Sequence, residues 1–256
     1  MRDWADAVVA LLLAPTCAAC RQPLRHPTRG CVCEACWGGV HLPQALHCLR
    51  CGDADGQATR TSPWNRVAAT AMLPSAAPAS RCVHCDTVPA SIDRARAIGP
   101  YAGALRDILH ALKYDGRRSL AVPLAARMRQ AGSDLFDGTE AVVPVPLHPR
   151  RRRERGFNQA ADLARHLGLP VVDALVRRKS TPSQTTLHAT ERHENMRGAF
   201  TATARLAHLR GASILLVDDV RTTGATLDAC ALVLREAGVR AVFALTAARV
   251  ESSQPR

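Results

Sequence analysis

The run Ile214-Leu215-Leu216-Val217-Asp218-Asp219-Val220-Arg221-Thr222-Thr223-Gly224-Ala225-Thr226 constrains the fold more than any other stretch of this chain. An apolar run ends in two carboxylates, a loop of hydroxyls and one glycine follows, and a helical pattern then begins. That order puts two acids and a phosphate cradle at the carboxyl end of a buried strand, where open parallel sheets bind their ligands. Consecutive N–H groups at a helix start form an anion site. Thr222, Thr223 and Thr226 add hydroxyls, and Gly224 lets the backbone approach closely. Asp218 and Asp219 would repel a phosphate, so vicinal hydroxyls or the water shell of Mg2+ are their natural partners. The ligand implied is a sugar with a phosphate at one end and hydroxyls near the other. An acidic loop that merely caps a helix is the plain alternative, and it leaves the T-T-G-A-T sequence unexplained.

Strand and helix patterns alternate on either side of this motif. Strands are expected at Arg94–Gly99, Ala141–Val145, Leu169–Val172, Ser213–Val217 and Ala241–Thr246. Helices are expected at Ala104–Tyr114, Ser119–Ala131, Asn158–His166 and Thr226–Ala237, the first with Leu105, Ile108, Leu109 and Leu112 on one face. Glycines at 116, 132, 168 and 238 act as stop signals. The alternation predicts an α/β fold with a mainly parallel sheet flanked by helices.

The first third of the chain is different. Nine of the ten cysteines lie before residue 86, and eight form C-x2-C pairs: Cys17/Cys20, Cys33/Cys36, Cys48/Cys51 and Cys82/Cys85. Each tight pair aims two thiolates at one ion, so this spacing suits structural zinc with all four positions filled by sulfur. Sequential pairing of the four turns and an interleaved arrangement both fit. A disulfide framework would require export, which the N-terminus does not suggest: Val8–Ala14 is short for a signal segment, follows Asp3 and Asp6, and precedes no A-x-A site. It reads instead as an amphipathic helix packing Val8, Leu11 and Leu12 on the neighbouring module. Cys31 is expected to be a spare thiol and Cys230 a core residue. Asp53–Ser80, rich in Ala, Ser, Thr and Pro, reads as a flexible insertion. The division expected is residues 1–90 as a cysteine-rich zinc-binding module and 91–256 as the α/β domain.

The 256 residues carry a formal charge of +12 with only two lysines, so arginine supplies nearly all the positive charge. Such a balance favours polyanions such as nucleic acid, nucleotides or phosphorylated sugars. At 4% aromatic residues, a stacking platform for single strands is not expected. No apolar stretch reaches the roughly 18–20 residues needed to span a bilayer, and a soluble cytoplasmic protein is expected. Three further patches are candidate site elements. Val143–Pro149 runs into Arg150–Arg153 and Arg155, which suits pyrophosphate, or a solvated or nucleic-acid surface. Arg155-Gly156-Phe157-Asn158-Gln159 follows. The polar segment from Gln184 through Arg192, Asn195, Arg197 and Phe200 is long enough to be a lid.

Taken together, these pieces resemble the ComF family. The match runs through the C-x2-C pairs, P-V-P-L-H at 144–148, R-G-F-N-Q at 155–159, Gln184, Arg192, Asn195 and Phe200, and V-D-D-V-R-T-T-G-A-T at 217–226. The resemblance covers nearly the whole chain in order, the long insertion before Cys82 being the main departure. It implies a type I phosphoribosyltransferase-like fold with a small N-terminal zinc module, and recognition of phosphoribosyl pyrophosphate with Mg2+. It also implies a link to uptake of single-stranded DNA, with single-stranded DNA and DNA-uptake proteins as partners. On that reading Asp218 and Asp219 are the catalytic candidates, and with Arg221, Thr222, Thr223, Gly224, Ala225 and Thr226 they hold the activated ribose. His148, Arg152, Arg155, Gln184, Arg192 and Asn195 are pyrophosphate or lid candidates, and the eight paired cysteines are the Zn2+ ligands.

Overall fold

A computed structural model describes residues 2–40, 48, 50–52, 91–178, 196 and 198–250. Cys82, Cys85, Gln184, Arg192, Asn195 and the insertion at 53–80 lie outside the described residues.

Four strands form a parallel sheet: β1 (Arg94–Pro100), β2 (Ala141–Pro144), β5 (Ser213–Arg221) and β6 (Ala241–Arg249), in the order β1-β6-β5-β2. A short antiparallel pair, β3 (Leu175–Arg177) and β4 (Phe200–Ala202), stands apart from it. The central strands are buried on both faces, which is why their sequences are almost continuously apolar. Side chains alternate along a strand, and the packing follows: Leu215 and Val217 join one apolar cluster, Ile214 and Leu216 the other.

The first cluster is built with α3 (Gly103–Tyr114), α4 (Ala121–Ala131) and α6 (Gln159–Ala164). In α3, Leu105, Ile108, Leu109 and Leu112 are fully or nearly fully buried, at the helical spacing expected. Pro123 is tolerated because it lies in the first turn of α4, where its missing N–H has no partner to lose. The second cluster holds α7 (Ala225–Glu236), with Leu227, Cys230, Ala231 and Leu234 inward. Cys230 is thus a core residue, as its helical position predicted.

Two expected elements are corrected, and a run left without an assigned element gains one. Leu169–Val172 is not a strand: residue 171 makes one parallel bridge to Val142, and Pro170 has no N–H with which to extend the ladder. The strand expected to stop at Val217 runs to Arg221, because β6 keeps pairing with it through Asp218–Thr246 and Arg221–Arg249. The arginine run forms a helix, α5 (Pro149–Arg155).

The N-terminal helix α1 (Arg2–Leu13) departs furthest from expectation. Leu11 is 86% exposed and Leu12 74%, so the apolar face does not pack on the neighbouring module. A polar anchor sets the helix orientation instead. Asp6, on the inward face, accepts hydrogen bonds from the backbone N–H of Thr28 (2.9 Å) and its hydroxyl (2.7 Å), and lies 3.1 Å from His26 Nδ1. No helix among the described residues is long and apolar enough to cross a membrane.

The cysteine-rich segment is continuous with the main core. Cys17, Ala18, Leu24, Val32 and Val40 belong to the same cluster as the inward residues of α3 and α4. Arg127 of α4 stacks 3.8 Å from the ring centre of Trp37, in α2 (Glu34–Gly38). The third pair touches the sheet directly, since Ala95 N–H donates to Arg50 O at 2.7 Å. Gly52 sits there with φ of +71°, and a Cβ at that position would lie 2.8 Å from Ala95 O.

Candidate functional site

Strand β5 carries Asp218 and Asp219 to the carboxyl edge of the sheet, and its alternation points them to opposite faces. Both are buried. Oδ1 of Asp218 accepts the N–H of Asp219 at 2.8 Å, and Oδ1 of Asp219 accepts that of Val220 at 2.9 Å, which fixes both side chains against the backbone. Asp219 looks toward α3, where Lys113 Nζ lies 2.5 Å from its Oδ2. The contact is an ion pair without hydrogen-bond alignment, and Oδ2 receives no aligned hydrogen bond among the described residues. Asp218 lies on the α7 side, in the electrostatic field of Arg177 on β3 and close enough to influence Cys230.

Burial dominates the electrostatics. It raises the carboxyl of Asp218 to about 7 against the opposing pull of Lys113, Arg177 and Arg155. It lowers the ammonium of Lys113 to about 8, with Asp218 opposing the shift and Arg155 adding to it. Arg155 and Arg177 are shifted down by burial as well. The site is a set of partly desolvated cations around two acids, arranged to take up further negative charge.

After β5 the chain turns through Thr222 and Thr223 into Gly224, whose φ of 80° is left-handed, and α7 starts at Ala225. Few residues other than glycine adopt that geometry without strain. Thr223 Oγ1 accepts the N–H of Ala225 at 3.4 Å. Thr222 is exposed, and Thr223 and Thr226 are half-buried. The loop therefore presents hydroxyls and helix-start N–H groups beside the acids, as the sequence order implied.

Beside Asp219, a cleft of about 410 Å³ is lined by Lys113, Tyr114, Gly116, Arg151, Glu154, Arg155 and Phe157. Its walls are the end of α3 and one face of α5. Arg155 donates to Gln159 Oε1 at 2.6 Å and lies 5.2 Å from the Tyr114 ring centre. Arg152 is exposed. His148 caps α5, its Nδ1 accepting the N–H of Arg150 at 3.3 Å. Asn158 caps α6 and donates to Val145 O at 3.0 Å, tying R-G-F-N-Q to the end of the P-V-P strand. Arg221 donates to Cys51 O at 3.2 Å and Arg249 to Gly52 O at 2.7 Å, so the Cys48-x2-Cys51 turn braces the ends of β5 and β6. Sequence reasoning missed Lys113, Tyr114 and Arg177, while Arg151 belongs to the arginine run it had offered for pyrophosphate. The rarity of lysine was the only available pointer to Lys113, and nothing local marks Arg177.

The first two cysteine pairs converge. The sulfurs of Cys17, Cys20, Cys33 and Cys36 all lie within 4.8 Å of one another, with Cys17–Cys36 and Cys20–Cys33 at 3.8 Å. A tetrahedron with Zn–S bonds of about 2.3 Å has edges of about 3.8 Å, so these thiols fit zinc, and among the described residues it is the first and second pairs that meet. Cys33 N–H donates to Cys17 Sγ at 3.3 Å. Burial acts to raise the Cys17 thiol, but the N–H groups of Cys33, Cys20 and Ala19 outweigh it and bring the thiol down to about 6. Burial and the neighbouring thiols push Cys36 up. Cys31 lies outside the cluster, 3.9 Å from Ser119 Oγ. Cys48 and Cys51 are buried.

A parallel sheet with the acidic pair and threonine loop at its carboxyl edge defines the class of a type I phosphoribosyltransferase-like protein, and residues 153–256 match the family Phosphoribosyl transferase domain. Competence protein F of Haemophilus influenzae is 33% identical over 174 residues, 64% of this chain and 76% of that protein. DNA utilization protein YhgH of Salmonella typhimurium is 30% identical over 240 residues, 88% of this chain and 93% of that protein. Among solved structures, orotate phosphoribosyltransferase from Aeropyrum pernix is 18% identical, with a TM-score of 0.31, covering 56% of this chain and 76% of that one. The chain belongs to the ComF family.

Proposed function

We propose that the end of β5 binds phosphoribosyl pyrophosphate and that, in the cytoplasm, this binding serves DNA uptake or use, in keeping with relatives named for competence and for DNA utilization. The observation that supports it best is the joining of three parts at one place: two buried acids, a hydroxyl-rich loop opening a helix, and a cationic cleft beside them. Thr222, Thr223, Gly224, Ala225 and Thr226 take the 5-phosphate on N–H and hydroxyl donors. Asp218 and Asp219 accept hydrogen bonds from the ribose hydroxyls. Arg155 and the cleft-facing side of α5 meet the pyrophosphate, Arg152 and His148 are further candidates for it although they do not line the cleft, and Gln184, Arg192 and Asn195 are the proposed lid residues. Arg221, braced by Cys51 O, holds the loop's first residue in place.

Asp219 Oδ2 is a hard oxygen without an aligned hydrogen bond, so it can hold the water shell of Mg2+ once Lys113, 2.5 Å away, moves off it. When bound, Mg2+ neutralises charge on the pyrophosphate. Displacement of pyrophosphate from the anomeric carbon builds positive charge on the ribose, as in other glycosyl transfers, and on this reading the ionised carboxylates are the groups that stabilise it. Zn2+ on Cys17, Cys20, Cys33 and Cys36 is structural, its four positions filled by sulfur, and Cys48, Cys51, Cys82 and Cys85 are the proposed ligands of a second ion.

Isothermal titration of zinc-loaded protein with phosphoribosyl pyrophosphate and Mg2+, in phosphate-free buffer, tests the reading. Saturable heat in the wild type that disappears in Asp218→Ala/Asp219→Ala supports it, and no saturable heat in the wild type overturns it. Release of pyrophosphate then separates an enzyme from a binder.

The exposed arginines of α5 favour a second reading, a DNA-handling accessory that grips single strands without catalysis. Binding would weaken steeply with salt as arginine–phosphate contacts release counterions. A flat salt response, or no binding at low salt, rules it out.

A further inference from the structure

We infer that Lys113 is a displaceable counter-cation, pairing with Asp219 while the site is empty and moving to the ligand's diphosphate when the ribose arrives. The inference rests on the proposed sugar-phosphate reading of the site. One ammonium stands between two places that need it. On one side is Asp219 Oδ2, at 2.5 Å, with the two side chains only 14% and 7% exposed. On the other is the cleft that Lys113 lines together with Arg151 and Arg155.

Neither place is satisfied by the protein's own groups. Asp219 Oδ2 is buried and, among the described residues, lacks an aligned hydrogen bond, so the lysine satisfies its charge but not its lone pairs. The cleft is crowded with cations, and its acidic member, Glu154, is already paired with Arg150 at 3.0 Å. Sugar hydroxyls would supply Asp219 with aligned donors, and a diphosphate would supply the cleft with negative charge. A single small movement of Lys113 meets both needs. The residue is placed for it: it lies in the last turn of α3, just before the capping Asp115 and the turn at Gly116, whose φ is 64°. A lysine suits this role better than an arginine, because its ammonium is a compact charge on a flexible stem rather than a rigid fork.

A competitor at the ribose end that is also a ligand at the diphosphate end leaves a distinctive trace. Removing it should help ligands that use only the first site and harm those that use only the second. Wild type and Lys113→Gln are titrated with ribose 5-phosphate and, separately, with inorganic pyrophosphate. The expected result is about tenfold tighter ribose 5-phosphate and about tenfold weaker pyrophosphate in the variant, each equivalent to about 1.4 kcal/mol. Asp219→Asn gives a second measurement. It frees Lys113 for the cleft, so pyrophosphate should bind at least as tightly as to wild type while ribose 5-phosphate is lost. Shifts in the same direction for both probes, or no shift, overturn the inference while wild-type binding leaves the sugar-phosphate site standing. Wild-type protein that binds neither probe overturns the site and the inference together.

Discussion

Burial raises the carboxyl of Asp218 from 3.8 to about 7, and the sign of the consequence follows from linkage. The folded state holds the proton more tightly than the unfolded chain. The associated stability is complete below the unfolded value of 3.8 and is lost as the pH rises to about 7. Above that the loss stays level. Asp218→Asn keeps the acceptor for the Asp219 N–H but cannot ionise, so its melting temperature should pull ahead of wild type between these two values and then hold a constant lead. The gain is of the order of a few kcal/mol, since each tenfold change in proton affinity corresponds to about 1.4 kcal/mol. Thermal melts across pH check it, and a lead that does not change with pH contradicts it. The raised carboxyl also makes ligand binding pH-dependent. Ribose hydroxyls need the ionised carboxylate as acceptor, so wild-type affinity for phosphoribosyl pyrophosphate should rise between about pH 6 and pH 8, and the asparagine variant should bind weakly throughout. The stability gained and the binding lost by this one change would mark Asp218 as a residue kept for function.

At the scale of elements, α1 shows how one polar contact can override a hydrophobic pattern. Apolar periodicity points Val8, Leu11 and Leu12 toward a neighbour, yet Leu11 and Leu12 are exposed and Asp6 is 4% exposed. Two donors from Thr28 and the ring of His26 outweigh the burial that a short apolar stripe could offer. The Thr28 backbone N–H is the largest of the influences that hold the Asp6 carboxyl below its usual value. This contribution is therefore present above the unfolded value of 3.8 and lost as pH falls through the lower folded value. Asp6→Ala at neutral pH should detach α1, seen as faster amide exchange over residues 4–13 with the β5 amides unchanged. Unchanged protection of α1 would show that other contacts hold it. Helix α3 behaves as its pattern says, because its apolar face meets a sheet rather than a single turn. Strand β5 outran its apolar pattern for a complementary reason: β6 goes on pairing through Thr246 and Arg249, so the acids lie within the ladder and not in a loop after it.

For the whole molecule, the shared core is the decisive feature. Cys17, Ala18 and Val32 pack in the same cluster as Ile108, Leu109 and Leu112, and the third cysteine pair braces Arg221 and Arg249. Loss of the proposed zinc site on Cys17, Cys20, Cys33 and Cys36 should therefore be felt beyond the cysteine segment. Cys36→Ser is expected to lose one zinc per chain by elemental analysis and to destabilise the sheet by several kcal/mol, given the strength of structural zinc sites, so that its melting temperature falls. A variant that keeps its zinc, or loses it with the sheet's melting unchanged, would show that the cluster does not support the fold.

Local chemistry in the sequence determined the parallel α/β pattern, the acid–threonine motif after a buried strand, and the pairing of thiols by short spacing. Each depends on neighbours a few residues apart, where periodicity and turn geometry act directly. Tertiary structure alone decided which cysteine pairs meet, which face of α1 turns inward, and that Asp218 and Asp219 serve opposite sides of the sheet. It also brought Lys113, Arg155 and Arg177 to those acids from α3, α5 and β3. Such meetings are set by how helices pack across a sheet, and by the low polarity that burial creates there, neither of which is written in any single segment of the chain.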